Sequence, residues 1–253
     1  MASKIGKAIG LLKKPRFTRA VIAHRVAASV EHAYAVQVCS AETLLDAGAN
    51  KGQFSLLFRE LQPNALIIAF EPLPEAADTF EQIFAGDGLT HLQRVALAVA
   101  EDSATFHVAD RADSSSLLRP GAAQARAFGV REARTIEVPV RRLDKCVDLA
   151  SLPHPILLKV DVQGGELDVF SGCDQLDQID FIYVELSFIE LYVGQPLFQD
   201  VSSYLGERGF RVIGIFNQVV TKAFGPTQVD VLFARADSEF PCHHTERKWA
   251  RSS

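Results

Sequence analysis

From Thr43 onward the chain alternates short apolar runs with amphipathic stretches. Thr43-Leu-Leu-Asp-Ala47 predicts a buried strand that ends at a glycine-containing turn. Phe54, Leu57, Phe58 and Leu61 then follow one stripe of a helix over 53–61, which Pro63 and Asn64 stop. Ala65 to Phe70 is apolar without alternation, the mark of a parallel strand covered on both faces. The next helix opens at Pro72 and Pro74, carries Ala77, Phe80, Ile83 and Phe84 on its inner face, and ends near Gly86 and Gly88. A third strand is predicted over about His91 to Leu97. This β-α-β-α-β order implies right-handed crossovers and a doubly wound sheet.

The pattern changes in the middle of the chain. Ala104 to Ala109 and Thr135 to Val140 read as strands, and Asp110 to Arg134 between them reads as a mobile, partly helical excursion from a hairpin. Regular order resumes with a strand from Pro155 to Asp161, a helix from Glu166 closed by Ser171 and Gly172, and a strand from Phe181 to Glu185. Phe198, Val201, Tyr204 and Leu205 stripe a further helix, with Gly209 placed as its terminating glycine. Phe210 to Phe216 and Val229 to Ala234 complete the sheet. Residues 16 to 40 are expected to form one Ala- and Val-rich helix against the domain. The organisation is therefore an extension over 1–40, a main domain over 41–236 with an insertion at about 104–140, and a polar tail over 237–253.

Composition narrows the classes. The chain has 253 residues, 48% of them hydrophobic, enough to bury one sizeable α/β core. A net charge of −5 gives no reason to expect nucleic acid as a partner. Four scattered cysteines form no CxxC pair and are expected to be reduced thiols in a cytoplasmic protein. The seven histidines show no metal-ligand spacing, so no metal is expected. The basic leader before Pro15, interrupted by Lys4, Lys7 and Lys13, reads as a solvated helix rather than a signal peptide or membrane-surface helix, and no stretch is long enough to span a membrane. The extension could pair in a homodimer.

Four clusters could carry chemistry. Asp46-Ala-Gly-Ala-Asn-Lys-Gly52 joins the first strand to its helix, where Gly48 and Gly52 admit a close ligand and the helix N-terminus supplies free N–H groups. The glycines lack the GxGxxG spacing of a dinucleotide site, and Asp46 would repel a pyrophosphate but hold the ammonium of an amino-acid moiety. Glu71, before Pro72, ends the second strand roughly 20 residues on, where an acid binds ribose hydroxyls in nucleotide folds. Lys159-Val-Asp161-Val-Gln163-Gly-Gly-Glu166 ends the strand across the switch point, and a buried Lys159 needs an acidic partner. Glu185 closes the next strand at the same edge, with Tyr192, Gln195 and the Asp113-Ser-Ser115-Ser116 run placed to roof the pocket.

Together with Leu143-Asp144 and Val184-Glu185, these motifs resemble, in order and spacing from about 41 to 235, the FkbM family of methyltransferases. The resemblance implies a class I Rossmann-like fold, a seven-stranded mostly parallel sheet with its last strand antiparallel. It implies S-adenosylmethionine as methyl donor, S-adenosylhomocysteine as product, and a hydroxyl acceptor on a sugar, glycan or secondary metabolite. Asp46, Gly48, Asn50 and Gly52 would surround the methionine part and Glu71 the ribose, with Pro72 and Ala96 beside the cofactor. Asp161 and the loop after it would face the methyl-transfer centre. Many members carry Glu where this chain has Gln163.

Positioning supplies much of the acceleration in such a transfer, and a base must take the hydroxyl proton. The catalytic group is expected to be Asp161, then Glu185, with Lys159 beside them and His107 a more distant base. Ser115, Gln163, Glu166 and Tyr192 are the expected acceptor contacts, and residues 110–134 a lid. Two alternatives are an NAD(P)-dependent oxidoreductase and a SAM-binding protein without catalysis. A catechol-type metal enzyme lacks further ligands near Glu185.

Overall fold

The structure, a computed structural model, describes residues 14–236. The basic leader before Lys14 and the tail over 237–253 lie outside them. Among the described residues, seven strands form a central sheet in the order β3-β2-β1-β7-β8-β10-β9. β1 (Thr43–Ala47), β2 (Leu66–Phe70), β3 (Thr90–Gln93), β7 (Ile156–Val160) and β8 (Phe181–Ser187) are mutually parallel. β10 (Gly225–Arg235) runs antiparallel between β8 and β9 (Phe210–Thr221). β1 and β7 are buried at every position, as unbroken apolar strands of a doubly covered sheet should be.

The helices flank this sheet. α3 (Gln53–Leu61) and α4 (Pro74–Ile83) follow β1 and β2, while α6 (Glu166–Ser171) and α7 (Phe198–Glu207) follow β7 and β8. One core contains Leu44, Phe54, Phe58, Ile67, Phe80, Leu157 and Tyr183. The other contains Leu45, Leu158, Phe170, Ile182, Leu186, Val201 and Phe233. Neighbouring residues of one strand, such as Leu44 and Leu45, thus enter different cores, as the two-residue period of a strand requires.

Four expectations need correction. Residues 16–40 form two helices, α1 (Pro15–His24) and α2 (Ala33–Cys39), with a single turn over Val30–His32 before the second. Arg25 turns left-handed at φ 58, its N–H bonds Val21 O, and the next N–H reaches back to Ala20 O. This tight end lets Val26 and Ala28 be buried. The third strand stops at Gln93, and β4 (Ala96–Leu97) leaves the main sheet to join a second one. Its partners are β6 (Glu132–Arg141) and β5 (Asp102–Ala109), which pair antiparallel and are longer than their apolar segments suggest. Phe106, Val108, Val138 and Val140 of this sheet pack with Leu73 and Ala76 of the α4 region. β9 and β10 also outrun their predicted ends, β9 over 217–221 and β10 from Gly225, where Asn217, Gln218, Pro226, Thr227 and Gln228 interrupt the apolar pattern.

The insertion between β5 and β6, with the short helix α5 (Ala122–Phe128), is tied down at several points. Ser116 pairs with His107 through the backbone and donates its hydroxyl to Gln163 O at 2.8 Å. Gly121 N–H bonds Leu191 O at 2.7 Å. The serine run therefore rests directly on the turn that follows β7.

Candidate active site

A cleft opens at the carboxyl ends of β1, β2, β7 and β8, where ligands bind in open α/β sheets. It encloses about 1130 Å³ including its mouth, somewhat beyond the roughly 300–1,000 Å³ of a single-ligand pocket.

At the β1–β2 end the backbone sets the geometry. Gly48 has φ +73, and a Cβ there would lie 1.9 Å from Asp161 O, so only glycine lets the β1 loop press against the end of β7. Asn50 is also left-handed, and its N–H bonds Glu71 Oε2 at 2.7 Å. Leu73 N–H bonds Glu71 Oε1 at 2.8 Å. The Glu71 carboxylate is thus held at the cleft wall by two main-chain donors. Burial pushes its pKa up to about 7 despite those bonds and the attraction of Lys159. Asn50 Oδ1 and Gln53 Oε1 are buried without a hydrogen-bond partner, and both residues line the cleft. Two orphaned acceptors beside an acid suit a ligand that brings an ammonium and a diol.

Asp46 does not serve the cleft directly. Its carboxylate is fully buried, accepting from Ser55 Oγ at 2.6 Å and facing Lys159 Nζ at 3.1 Å. The polar atoms left without a partner at this end of the cleft are instead the amide oxygens of Asn50 and Gln53, and Gln53 was not among the expected site residues. Lys159 also donates to Gly48 O at 2.8 Å and stands 3.9 Å from Asp161. Burial alone would lower its pKa, but Asp46 and Asp161 raise it, so it stays a cation that clamps the β1 and β7 ends together. Gly52 caps α3 with φ +86 and faces Phe80 and Phe84 rather than the cleft. Pro72 and Ala96 line the cleft beside Glu71.

At the β7–β8 end the side chains set the geometry. Gln163, left-handed at φ 60, directs one amide nitrogen to two carboxylates, Asp161 Oδ1 at 2.7 Å and Glu185 Oε2 at 3.2 Å. Gln228 Nε2 adds a bond to Glu185 Oε2 at 2.7 Å. Burial, then the charges of Asp161, Asp230 and Glu166, hold Glu185 well above the usual carboxylate range. Ser115 lines the same cleft. Tyr192 and Glu166 do not. Tyr192 is fully buried, its hydroxyl within 2.8 Å of Gln163 Oε1, 2.9 Å of Ser114 O and 3.0 Å of Gln124 Nε2. Glu166 accepts Gly164 N–H at 2.9 Å beneath the turn, and burial raises it to about 7. Tyr192 thus holds the Gln163 amide and Glu166 the Gly164 main chain of the same turn, and neither side chain lines the cleft. His107 pairs with Glu132 at 2.6 Å on the second sheet, away from the cleft.

The cleft also holds residues to which the sequence pattern assigned no role at the site: His32, Phe54, Tyr183 and Asp230. Asp230, a lone acid between Val229 and Val231 in an apolar strand, carried the same signal as Glu185. His32 carried none, because it lies on an irregular turn. Among the described residues no three His, Cys, Asp or Glu side chains converge to hold a metal, and no helix is long and apolar enough to cross a membrane.

This sheet order, with the glycine turn after β1, the acid after β2 and the orphaned amide oxygens between them, defines a class I SAM-dependent methyltransferase domain. The chain belongs to the methyltransferase FkbM domain family, whose model matches residues 46–212, and its cofactor is S-adenosylmethionine. It is 33% identical over 160 residues to the 2-O-methyltransferase NoeI of Sinorhizobium fredii, covering 60% of this chain and 66% of that protein. It is 30% identical over 158 residues to Methyltransferase 1 of Beauveria bassiana, covering 56% and 64%. The matches thus span just under two thirds of either relative. Among solved structures, magnesium protoporphyrin IX methyltransferase of Synechocystis with bound SAM aligns over 90% of this chain and 96% of that one, at 12% identity and a TM-score of 0.43.

Proposed function

We propose that the protein transfers the methyl group of S-adenosylmethionine to a hydroxyl oxygen of a neutral polyhydroxylated acceptor, a sugar, glycan or hydroxylated secondary metabolite. The bound cofactor supplies an electrophilic methyl on a sulfonium. Asn50 and Gln53 accept hydrogen bonds from its ammonium, and Glu71 accepts from its ribose hydroxyls. Asp161 and Glu185 accept hydrogen bonds from the acceptor and orient one hydroxyl toward the methyl.

One observation carries this reading: two carboxylates, Asp161 and Glu185, stand at the cleft and share a single amide donor. Each retains lone pairs for hydroxyl donors. Five acids, Glu71, Asp113, Asp161, Glu185 and Asp230, line the cleft, while Lys159, the one Lys or Arg among its lining residues, is already bound to Asp46 and Gly48 O. That balance favours neutral polyols over phosphorylated or carboxylated ones. The stacked rings of Phe54 and Tyr183, 5.9 Å apart, add an apolar surface for a sugar face. The oxygen specificity named for NoeI agrees with it.

Calorimetric titration with S-adenosylmethionine and S-adenosylhomocysteine comes first. Both are expected to bind saturably, and Glu71→Ala to weaken both by at least about tenfold, ~1.4 kcal/mol. Mass spectrometry and NMR of products from an acceptor panel should then find methyl ethers. Methylation confined to nitrogen, sulfur or carbon would overturn the oxygen assignment.

A further inference from the structure

His32 stands on the turn before α2, yet it lines the same cleft as Glu71 and Asp161. One edge of its ring is fully engaged. Nδ1 lies 2.9 Å from Tyr183 Oη, 3.1 Å from Asn217 Nδ2 and 3.3 Å from Asp230 Oδ2. Tyr183 and Asn217 also donate to Asp230 Oδ2, at 3.0 and 2.8 Å. Asn217 Nδ2 can only donate, and Asp230 Oδ2 and Tyr183 Oη, at 2.8 and 3.4 Å, take its two hydrogens. With Tyr183's own proton on Asp230, Nδ1 then carries the hydrogen that faces the Tyr183–Asp230 pair, and the ring's lone pair is on Nε2. No described residue hydrogen-bonds Nε2. The imidazole is fixed by Phe54 and Tyr183, each ring centroid 5.5 Å away. Only about a fifth of the side chain is exposed, and the residue lines the cleft.

We infer that His32 is the general base of the transfer, with Asp230 holding it through Nδ1. The inference rests on the oxygen-transfer reading above. The acceptor's O–H bond gives its proton to Nε2, and its oxygen forms the new C–O bond to the methyl carbon. The electron pair of the broken C–S bond stays on sulfur. The imidazolium, paired with Asp230, then returns the proton to water. Asp161 and Glu185, both tied to Gln163, orient the hydroxyl and leave its proton to His32.

Groups from every element packed against the ring surround it. β10 presents Asp230, β8 presents Tyr183 and Glu185, β9 presents the neutral Asn217, α3 presents the Phe54 ring, and Glu31 adjoins it on its own turn. The test compares parent with His32→Asn, whose amide nitrogen can replace the Nδ1 donor but whose side chain has no base. Methyl transfer under cofactor saturation should fall by about 10²–10⁴-fold, with the calorimetric cofactor Kd within threefold of the parent. Asp230→Asn should lower kcat more than it raises KM, because the ring loses the carboxylate that holds it through Nδ1. Independently of turnover, ¹⁵N-histidine NMR of the free protein should show the Nδ1–H tautomer. Turnover of His32→Asn within threefold of the parent, or an Nε2–H tautomer, would overturn the inference. If His32→Asn does not fold, Asp230→Asn and the NMR measurement decide. A parent that binds cofactor but methylates no hydroxyl removes the oxygen-transfer reading, and this inference with it, whereas an active parent isolates His32.

Discussion

At the β1–β2 end of the cleft, Gly48, Asn50 and Gln53 come from one short stretch, and Glu71 is fixed by two main-chain N–H groups. At the β8–β10 end, His32, Tyr183, Asn217 and Asp230 come from four separate segments and are fixed by one another's side chains. The first end is local and made of backbone. The second exists only after the whole sheet has closed. An acid at each end is held above the ordinary range, yet Glu71 sits among N–H donors and Glu185 among other acids. The first arrangement fixes one shape, and the second lets charge and shape change one residue at a time.

The hardest test of this contrast is Gly48→Ala. The added Cβ would sit 1.9 Å from Asp161 O at φ +73. Overpacking and the positive φ together should cost about 2–4 kcal/mol, read as a lower urea midpoint, with cofactor binding falling alongside. A variant with the parental midpoint would show that the loops can part without loss, and the backbone end would not be rigid.

The pH response of Glu71 sharpens the contrast further. Its carboxyl titrates at about 7, and the ionised form is the better acceptor for a diol. Cofactor affinity should therefore rise as pH climbs through about 7, by about tenfold overall, ~1.4 kcal/mol, and Glu71→Gln should flatten the profile. The free protein responds with the opposite sign. Between the ordinary value of 4.5 and about 7 the folded chain keeps a proton that the unfolded chain has released. This contribution to stability is complete below that window and declines across it as pH rises. Calorimetry and urea melts over one pH series read both effects. Flat cofactor affinity would place Glu71 outside the ribose contact.

The smallest effect is expected from Tyr192→Phe, which removes the hydroxyl joining Gln163, Ser114 and Gln124. About 1 kcal/mol of stability should be lost, with faster hydrogen exchange over 112–129 and an unchanged cofactor Kd. Unchanged exchange would mean that Ser116 and Gly121 alone secure the insertion.

The same division explains what the sequence disclosed. β1, α3, β2 and β7 were legible because their apolar periods are short and unbroken, and the acids at their ends stand out against them. Asn50 and Glu71 could be placed because each follows a recognisable strand. The inward turn of Asp46 was not legible, because it depends on Lys159 arriving from β7 and Ser55 from α3. Nor was the departure of Ala96 and Leu97 to a second sheet, since a strand's apolar pattern does not name its partner. His32 could not be found in this way. Its setting is supplied by β8, β9 and β10, more than a hundred residues downstream.

The contact between Gly48 and the Asp161 carbonyl has a consequence for descent. With Asp46 opposite Lys159 in the β1–β7 register, the span between the two ends of the cleft is measured out in main-chain units. Such a ruler does not stretch when one aliphatic side chain replaces another in the core. A lineage carrying this frame can let its interior drift, and can redraw the β8–β10 end segment by segment, while the span it inherits keeps its length.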